Sequence, residues 1–208
     1  IQGAEISYIE PYASSTSEMV TELISYQDSE IALPKVAAEA LLAGITVDTK
    51  NFFYQTGPRT FEAAAYLKRK GADSSVIKDL FKDDFELMRY RSEILVSAKH
   101  LRPDIMIARF PHDIEGSTLI ASQAADDLLG IRGIKASFVL TLAEKRVHVS
   151  ARSLGDISVQ LIMEKIGGGG HMTAAATQMD TTLDEAQKQL EEAIETYLKE
   201  EGNESNPA

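Results

Sequence analysis

Apolar residues recur every three or four positions through much of the first half of the chain, which is the spacing of amphipathic helices. A Ser-x-x-Glu capping box that begins at Ser15 predicts the start of the first helix. Pro34 suits the first turn of a second helix, and Thr60 is expected to cap a third helix that Gly71 ends. The remaining predictions for this half are a strand over 6–9 and helices over 35–42, 74–81 and 85–98.

The pattern changes after Pro103, where apolar residues begin to alternate with smaller or polar ones as in a strand. Two β-rich runs, 135–142 and 146–153, are separated by three residues, a length typical of a hairpin turn. Helices are predicted over 117–129, 159–166 and 182–200, followed by a polar tail over 201–208. The chain therefore divides into a helical part over 1–98 and an α+β domain over 101–200.

Composition narrows the function classes. The chain has 21 Lys and Arg against 32 Asp and Glu, a net charge of −11, which argues against a partner such as a long nucleic acid. It has no cysteine, so it can form neither a disulfide nor a thiolate metal site. No apolar run approaches the roughly 20 residues that cross a bilayer, so no membrane contact is expected from this chain.

The least ordinary stretch is a run of four glycines, Gly167, Gly168, Gly169 and Gly170, followed by His171. Successive amides without Cβ atoms can form a concave anion-binding nest, and the histidine adds a donor or a ring. The alternative is a helix C-cap, although a cap needs one glycine rather than four. The run therefore favours contact with a small anionic ligand.

Two further residues could carry chemistry. Arg152 lies on a predicted strand upstream of the glycine run, and its guanidinium could bind a phosphate through two parallel hydrogen bonds; an ordinary surface arginine is the alternative. Asp48 ends an apolar stretch, where a carboxylate can ligate a hard metal ion, but a helix cap or a loop hydrogen bond explains it equally well. The other three histidines show no metal-ligand spacing and are interpreted as ordinary surface or strand residues: His100, His112 and His148.

Two sequence motifs resemble those of a known family and occur along the chain in the order found in that family. Residues 150–155, Ser-Ala-Arg-Ser-Leu-Gly, followed by the run 167–171, Gly-Gly-Gly-Gly-His, resemble the DHH-associated domain of DHH-family phosphoesterases. The extension over 171–178 is most similar to the membrane-anchored cyclic-di-AMP phosphodiesterases of that family. Upstream, 10–18 and 44–49 resemble the closing part of the family's catalytic domain.

The resemblance implies a fold class and a set of roles. It implies the C-terminal part of a DHH-type α/β catalytic domain, followed by a smaller α+β nucleotide-binding domain with a mixed sheet. Asp48 matches the family's last metal-binding aspartate, in a site for two Mn²⁺ ions. The residues that match substrate-binding positions are Arg152, Ser153, Gly168, Gly169, Gly170 and His171.

The expected reaction is hydrolysis of cyclic-di-AMP to the linear dinucleotide pApA in second-messenger signalling. The Asp-His-His motif and the earlier metal ligands are absent, so an upstream segment of the same protein is expected to supply them. The chain is expected to lie in the cytoplasm, as part of a bacterial protein that is anchored to the plasma membrane. A homodimer is a possible assembly. The alternatives are a short-oligoribonucleotide exonuclease, an adenosine bisphosphate phosphatase and a non-catalytic nucleotide sensor.

Overall fold

The computed structural model describes residues 7–27, 32–82 and 84–204, with side chains as far as 201. The chain folds into two compact units, Ile1–Lys82 and Asp83–Ala208. The helix predicted over 85–98 therefore groups with the second unit, whereas the sequence pattern placed it in the first.

Among the described residues of the first unit, all the regular secondary structure is helical, with α1 over Thr16–Tyr26, α2 over Lys35–Asp48, α3 over Pro58–Arg69 and α4 over Ser74–Leu80. Its core is a small cluster in which Leu42 and Ile45 of α2 pack with Leu67 of α3 and Ile77 of α4. Of the strand predicted over 6–9, Ile6 lies outside the described residues and 7–9 form no strand. The described part of this unit thus has helices but no sheet for them to cover.

The helix starts follow the expected capping chemistry, with two corrections. Pro34 was expected in the first turn of α2, but it is the N-cap that precedes that helix. Ser15 caps α1, and its side chain accepts a hydrogen bond from the backbone N–H of Glu18. Thr60 was expected to be the cap of α3, but Gly57 holds that position. The Thr60 hydroxyl, three residues into the helix, accepts from the Gly57 N–H at 3.1 Å. Thr60 therefore supplies the reciprocal half of the motif, because its side chain reaches back to the cap.

The second unit is an α/β structure. Its helices are α5 over Phe85–Ser97, α6 over Ser117–Leu129, α7 over Val159–Glu164 and α8 over Leu183–Glu204. Its strands are β1 over Lys99–Arg102, β2 over Ile105–Asp113, β3 over Ala136–Ala143, β4 over Arg146–Ser153, β5 over Gly169–His171 and β6 over Ala174–Met179. Among the described residues these strands form one sheet in the order β1-β2-β3-β4-β6-β5. Strands β2 and β3 pair in parallel and the other neighbours are antiparallel, so the sheet is mixed as expected.

Helices cover this sheet on both faces. On one face the central strands pack against α7 and α8, with Phe138, Val149 and Leu190 fully buried. On the other face β2 and β3 pack against α5 and α6, around Phe110 and Ile120. Burying both faces of the central strands gives this unit a hydrophobic core made from its own residues.

The hairpin between β3 and β4 has a clear physical basis. Glu144 and Lys145 both adopt positive φ, 52° and 63°, as a two-residue type I′ turn requires. The Asp113 carboxylate accepts hydrogen bonds from both of their backbone N–H groups, at 2.9 and 2.8 Å.

Several elements were missed or differ in length. The sequence pattern predicted neither β1, β5 nor β6, and it treated the glycine run as a loop. It extended α7 to residue 166, whereas α7 ends at Glu164. Helix α8 continues to Glu204, into the stretch predicted as a tail, and 205–208 lie outside the described residues. Within the described ranges, none of the helices combines the length and apolar character needed to cross a bilayer.

Candidate functional site

One part of the sheet in the second unit is left uncovered by helices. Arg152 of β4 pairs with Ala174 of β6, which in turn pairs with His171 of β5. Residues paired across antiparallel strands project to the same face, so these three form a row across the sheet. Two strand spacings separate Arg152 from His171, which is about 10 Å.

A second row lies next to the first on the same face. Ser150 pairs with Ala176, and Ala176 pairs with Gly169. Ala176 is exposed and Gly169 is half-buried, whereas the neighbouring Ala175 faces the core. We call this surface the open face and define it by six residues, of which Ser150 is buried at 8% exposure at its inner border: Ser150, Arg152, Gly169, His171, Ala174 and Ala176. Its centre is built from small side chains, and Arg152 and His171 stand at its two sides.

Arg152 is anchored at the border between the open face and α6. Its Nε lies 3.4 Å from the Asp126 carboxylate, and one terminal nitrogen donates to the Ala151 carbonyl at 3.0 Å. The other terminal nitrogen donates to the Ser122 hydroxyl. A guanidinium carries five N–H donors, so these contacts leave two for another acceptor. Two parallel donors suit a phosphate or carboxylate group.

The structure gives separate reasons for the four glycines. Gly167 and Gly170 have φ of 78° and 150°, in the left-handed region that favours glycine. A Cβ on Gly168 would lie 2.4 Å from the Ala176 carbonyl oxygen, and one on Gly170 would lie 2.5 Å from the Ala174 carbonyl oxygen. A Cβ on Gly169 would meet no atom within 4 Å. The fold therefore requires three of these glycines, and only Gly169 is left to be explained by a ligand.

The glycine run forms an edge strand rather than the expected loop. β5 pairs only with β6 in the described sheet, so its outer edge has backbone groups that no strand covers. His171 ends β5 and is exposed. An edge with little side-chain bulk lets a ligand approach backbone N–H groups, which is the chemistry expected of the run.

Ser153 has a different environment from Arg152. It is buried at 5% exposure, and its backbone N–H donates to the Thr173 carbonyl at 2.9 Å. Its hydroxyl donates to the Met172 carbonyl at 3.3 Å. Ser153 thus holds the turn that follows His171, and its side chain is not among those that form the open face.

Asp48 lies in the first unit, as the last residue of α2, and is exposed. Lys50, Asn51 and Phe52 follow with φ of 46°, 60° and 65°. Successive left-handed residues of this kind are costly, and here backbone hydrogen bonds such as Asn51 N–H to the Thr46 carbonyl, at 2.8 Å, hold the turn. The end of α2, and with it Asp48, is therefore held in a defined place.

The described residues do not contain a metal centre of their own. No group of three or more His, Asp or Glu side chains in them is arranged to hold an ion. Two Mn²⁺ ions need far more ligands than the carboxylate of Asp48, so the described residues could supply only part of such a site.

His112 was expected to be an ordinary histidine. Its Nε2 lies 2.8 Å from a carboxylate oxygen of Glu93 on the surface.

Two residues that contact Arg152 were missed by sequence reasoning. Ser122 and Asp126 lie one helical turn apart on α6, and both are half-buried. In the sequence they are simply polar positions of an amphipathic helix, and nothing in their spacing points to an arginine about 30 residues later. Only the packing of α6 beside β4 reveals the contact.

Comparison with known proteins supports a family assignment. Residues 104–200 match the DHHA1 domain. The chain is 50% identical over 93% of its length to the cyclic-di-AMP phosphodiesterase PdeA of Listeria monocytogenes. It is 45% identical over 96% of its length to the cyclic-di-AMP phosphodiesterase GdpP of Geobacillus thermodenitrificans. It spans 30% of the length of each of these relatives.

Two more distant proteins are also similar. The bifunctional oligoribonuclease and PAP phosphatase NrnA of Thermus thermophilus is 34% identical over 93% of this chain, which spans 60% of NrnA. The crystal structure of an exopolyphosphatase-related protein from Bacteroides fragilis superposes with a TM-score of 0.84 at 25% identity, over 95% of this chain and 61% of that one. The fold expected from the resemblance is thereby confirmed.

Proposed function

Because residues 104–200 match the DHHA1 domain and the chain is 50% identical to a cyclic-di-AMP phosphodiesterase, we propose that it is the nucleotide-binding part of a DHH-family phosphodiesterase that opens cyclic-di-AMP to linear pApA. The observation that carries the proposal is the 50% identity to PdeA over 93% of the chain, which includes the whole open face. We propose that the full-length protein acts in second-messenger signalling and is anchored to the plasma membrane, with this chain in the cytoplasm.

The open face has the chemistry that a cyclic dinucleotide needs. Such a ligand carries two phosphodiester anions, and Arg152 has two N–H donors that no atom of the described residues accepts from. A local cation of this kind explains how a protein with a net charge of −11 could bind an anion. We propose that Arg152 contacts one phosphate of the substrate.

Steric room on the open face supports the same assignment. The side chains at its centre are small: Ala174 and Ala176 each present one methyl group, and Gly169 presents none. A flat base and its ribose can therefore approach the strands closely. His171 stands at the outer strand, where its ring can donate a hydrogen bond or stack on a base. We propose that His171 and the edge of β5 orient the nucleotide while Arg152 binds its phosphate.

We propose that hydrolysis itself requires residues outside this chain. Two Mn²⁺ ions would supply the activation of water at the phosphorus atom, and Asp48 would provide one of their ligands. The other ligands are assigned to another segment of the same protein, since the described residues contain no cluster of three or more side chains arranged to hold an ion.

The test is hydrolysis by the full-length protein with manganese, followed by chromatographic separation of the products. Cyclic-di-AMP, linear pApA and adenosine 3′,5′-bisphosphate are supplied separately at equal concentration. Preferential conversion of cyclic-di-AMP to pApA supports the proposal. Preference for pApA or the bisphosphate would assign the oligoribonuclease or phosphatase activity instead, the alternative favoured by the similarity to NrnA. Binding of cyclic-di-AMP with no turnover of any substrate would favour a sensor.

A further inference from the structure

We propose that Ser122 and Asp126 of α6 are positioning residues, which hold the Arg152 guanidinium ready to bind a phosphate of the substrate. This inference rests on the proposed phosphate contact of Arg152 and assigns a role to two residues on a different element. Neither residue is part of the open face or of the motifs that carry the family resemblance.

The contacts place the guanidinium in one orientation. Ser122 and Asp126 are four residues apart, so both side chains lie on the same side of α6. Their oxygens accept from different nitrogens of Arg152, a terminal nitrogen and Nε respectively. The Ala151 carbonyl accepts from the remaining terminal nitrogen at 3.0 Å. With an acceptor at each of its three nitrogens, the group cannot rotate without breaking a hydrogen bond.

Holding an arginine before the ligand arrives has a thermodynamic consequence. A free arginine side chain carries about 2 kcal/mol of rotamer entropy, much of which is lost on binding a phosphate. An arginine that is already ordered loses less, so the ligand binds more tightly for the same contacts. Ser122 and Asp126 are therefore expected to lower KM and to have little effect on kcat.

The charge of Asp126 makes the inference testable, because two possible effects have opposite signs. A carboxylate beside Arg152 partly neutralises the guanidinium, so its removal should strengthen anion binding if charge alone matters. If Asp126 acts by orienting Arg152, its removal should weaken binding. Ser122 is uncharged and gives an independent measure of orientation.

The neighbouring residue provides a matched control. Asp127 lies on the same helix and carries the same charge, but its carboxylate lies 3.2 Å from Nε of Arg91, and no contact between Asp127 and Arg152 is seen in the described part of the chain. Asp127→Ala therefore repeats the loss of charge and volume next to the site while leaving the contacts of Arg152 intact.

The experiment measures kcat and KM of the full-length protein for Ser122→Ala, Asp126→Ala, Asp126→Asn and Asp127→Ala, with thermal unfolding of each variant as a check on folding. Ser122→Ala and Asp126→Ala are expected to raise KM about threefold to tenfold, the usual effect of losing one hydrogen bond. Asp126→Asn, which keeps an acceptor, should recover most of the loss, and Asp127→Ala should stay within about twofold of wild type. In an Arg152→Ala background all of these effects should vanish.

Contrary results have distinct meanings. A lower KM for Asp126→Ala, or a change equal to that of Asp127→Ala, would overturn the inference, and so would effects that persist without Arg152. If wild type prefers pApA or the bisphosphate, the proposed substrate is wrong. The KM of the same variants for the preferred substrate then tests the role of Ser122 and Asp126. If wild type turns over none of the three, the proposed hydrolysis is wrong. Calorimetric binding of cyclic-di-AMP to the same variants then tests Ser122 and Asp126, and affinities equal to that of wild type would overturn the inference.

Discussion

The two units of the chain differ in how much of a site each one contains. The second unit buries both faces of its central strands under its own helices, and the open face is formed and supported by residues of that unit. The described first unit has helices around a small core, while large apolar side chains such as Val36 and Phe53 are 72% and 90% exposed. Its one candidate metal ligand, Asp48, stands without others among the residues that the structure describes.

This difference separates two tasks that a phosphodiesterase must perform. Binding an anionic nucleotide needs a few oriented donors and room for bases, which a single sheet face can provide. Hydrolysis needs several ligands that converge on metal ions, and no such set is present in the described residues. We therefore expect substitutions in the second unit to change affinity and substitutions at Asp48 to change turnover.

The largest effect is expected at Asp48. In the full-length protein, Asp48→Ala should lower kcat about a thousandfold, because loss of a metal ligand removes several kcal/mol of transition-state stabilisation. The affinity for cyclic-di-AMP should change little, and manganese content, measured by atomic emission, should fall. Unchanged kcat with full metal content would remove Asp48 from the site.

The glycine run offers a sharper comparison within the second unit. Gly168→Ala should destabilise this unit by about 3 kcal/mol, because its new methyl group would overlap the backbone of β6. Gly169→Ala, the matched control, should stay within about 0.5 kcal/mol of wild type in urea unfolding.

The same pair separates a structural from a ligand-binding role. Gly169→Ala should raise KM for cyclic-di-AMP in the full-length protein although the variant is fully folded, since its methyl group lies on the open face. Equal stability of the two variants would contradict the packing account, and an unchanged KM for Gly169→Ala would show that ligand does not approach β5 there.

Arg152 should have the next largest effect. Arg152→Ala is expected to raise KM about thirtyfold, as expected for loss of a charge-assisted pair of hydrogen bonds worth about 2 kcal/mol. Arg152→Lys should recover only part of this, because an ammonium keeps the charge but lacks the two parallel donors. His171→Ala should raise KM by less and leave metal content unchanged. Full recovery by lysine would mean that charge alone matters.

The smallest effect concerns stability of the first unit. Arg59 donates to both Glu22 carboxylate oxygens, at 2.7 and 2.6 Å, and these hydrogen bonds lower the pKa of Glu22 below its ordinary value of 4.5. A lowered folded-state pKa gives stability that is present above pH 4.5 and is lost as the pH falls through the folded value.

Glu22→Gln should therefore destabilise the unit by about 1 kcal/mol at pH 7, a modest figure because Arg59 is 42% exposed. The difference from wild type should shrink as the pH falls below 4.5. Chemical unfolding at about pH 7 and about pH 3 measures both values, and an effect of the same size at both would rule out the charged pair as its source.

Sequence periodicity predicted the elements whose apolar residues are large. Helix α6 was predicted over 117–129 and is found there, and β3 and β4 were predicted to within one residue. β6 was missed although its burial alternates, because its inward residues include Ala175 and Thr177, which carry little hydrophobic signal. β5 consists of two glycines and a histidine and has no apolar pattern at all.

The candidate site was predicted only in part, for a related reason. Motif resemblance singled out Arg152 and the glycine run, which lie on the two strands that flank β6. It could not separate Gly169 from its neighbours, because that distinction depends on which face of β5 meets β6. The contacts of Ser122 and Asp126 with Arg152 depend on the packing of a helix beside a strand, and no local sequence pattern indicates that packing.

The central proposal is that the described residues of this chain contain the nucleotide-binding site and only part of the catalytic site. Calorimetric titration of the chain with cyclic-di-AMP, followed by chromatography of the recovered nucleotide, tests both parts together. The account predicts binding that Arg152→Ala weakens about thirtyfold, with the cyclic dinucleotide recovered intact even in the presence of manganese. Absence of binding by a folded chain, or conversion to pApA by the chain alone, would contradict it.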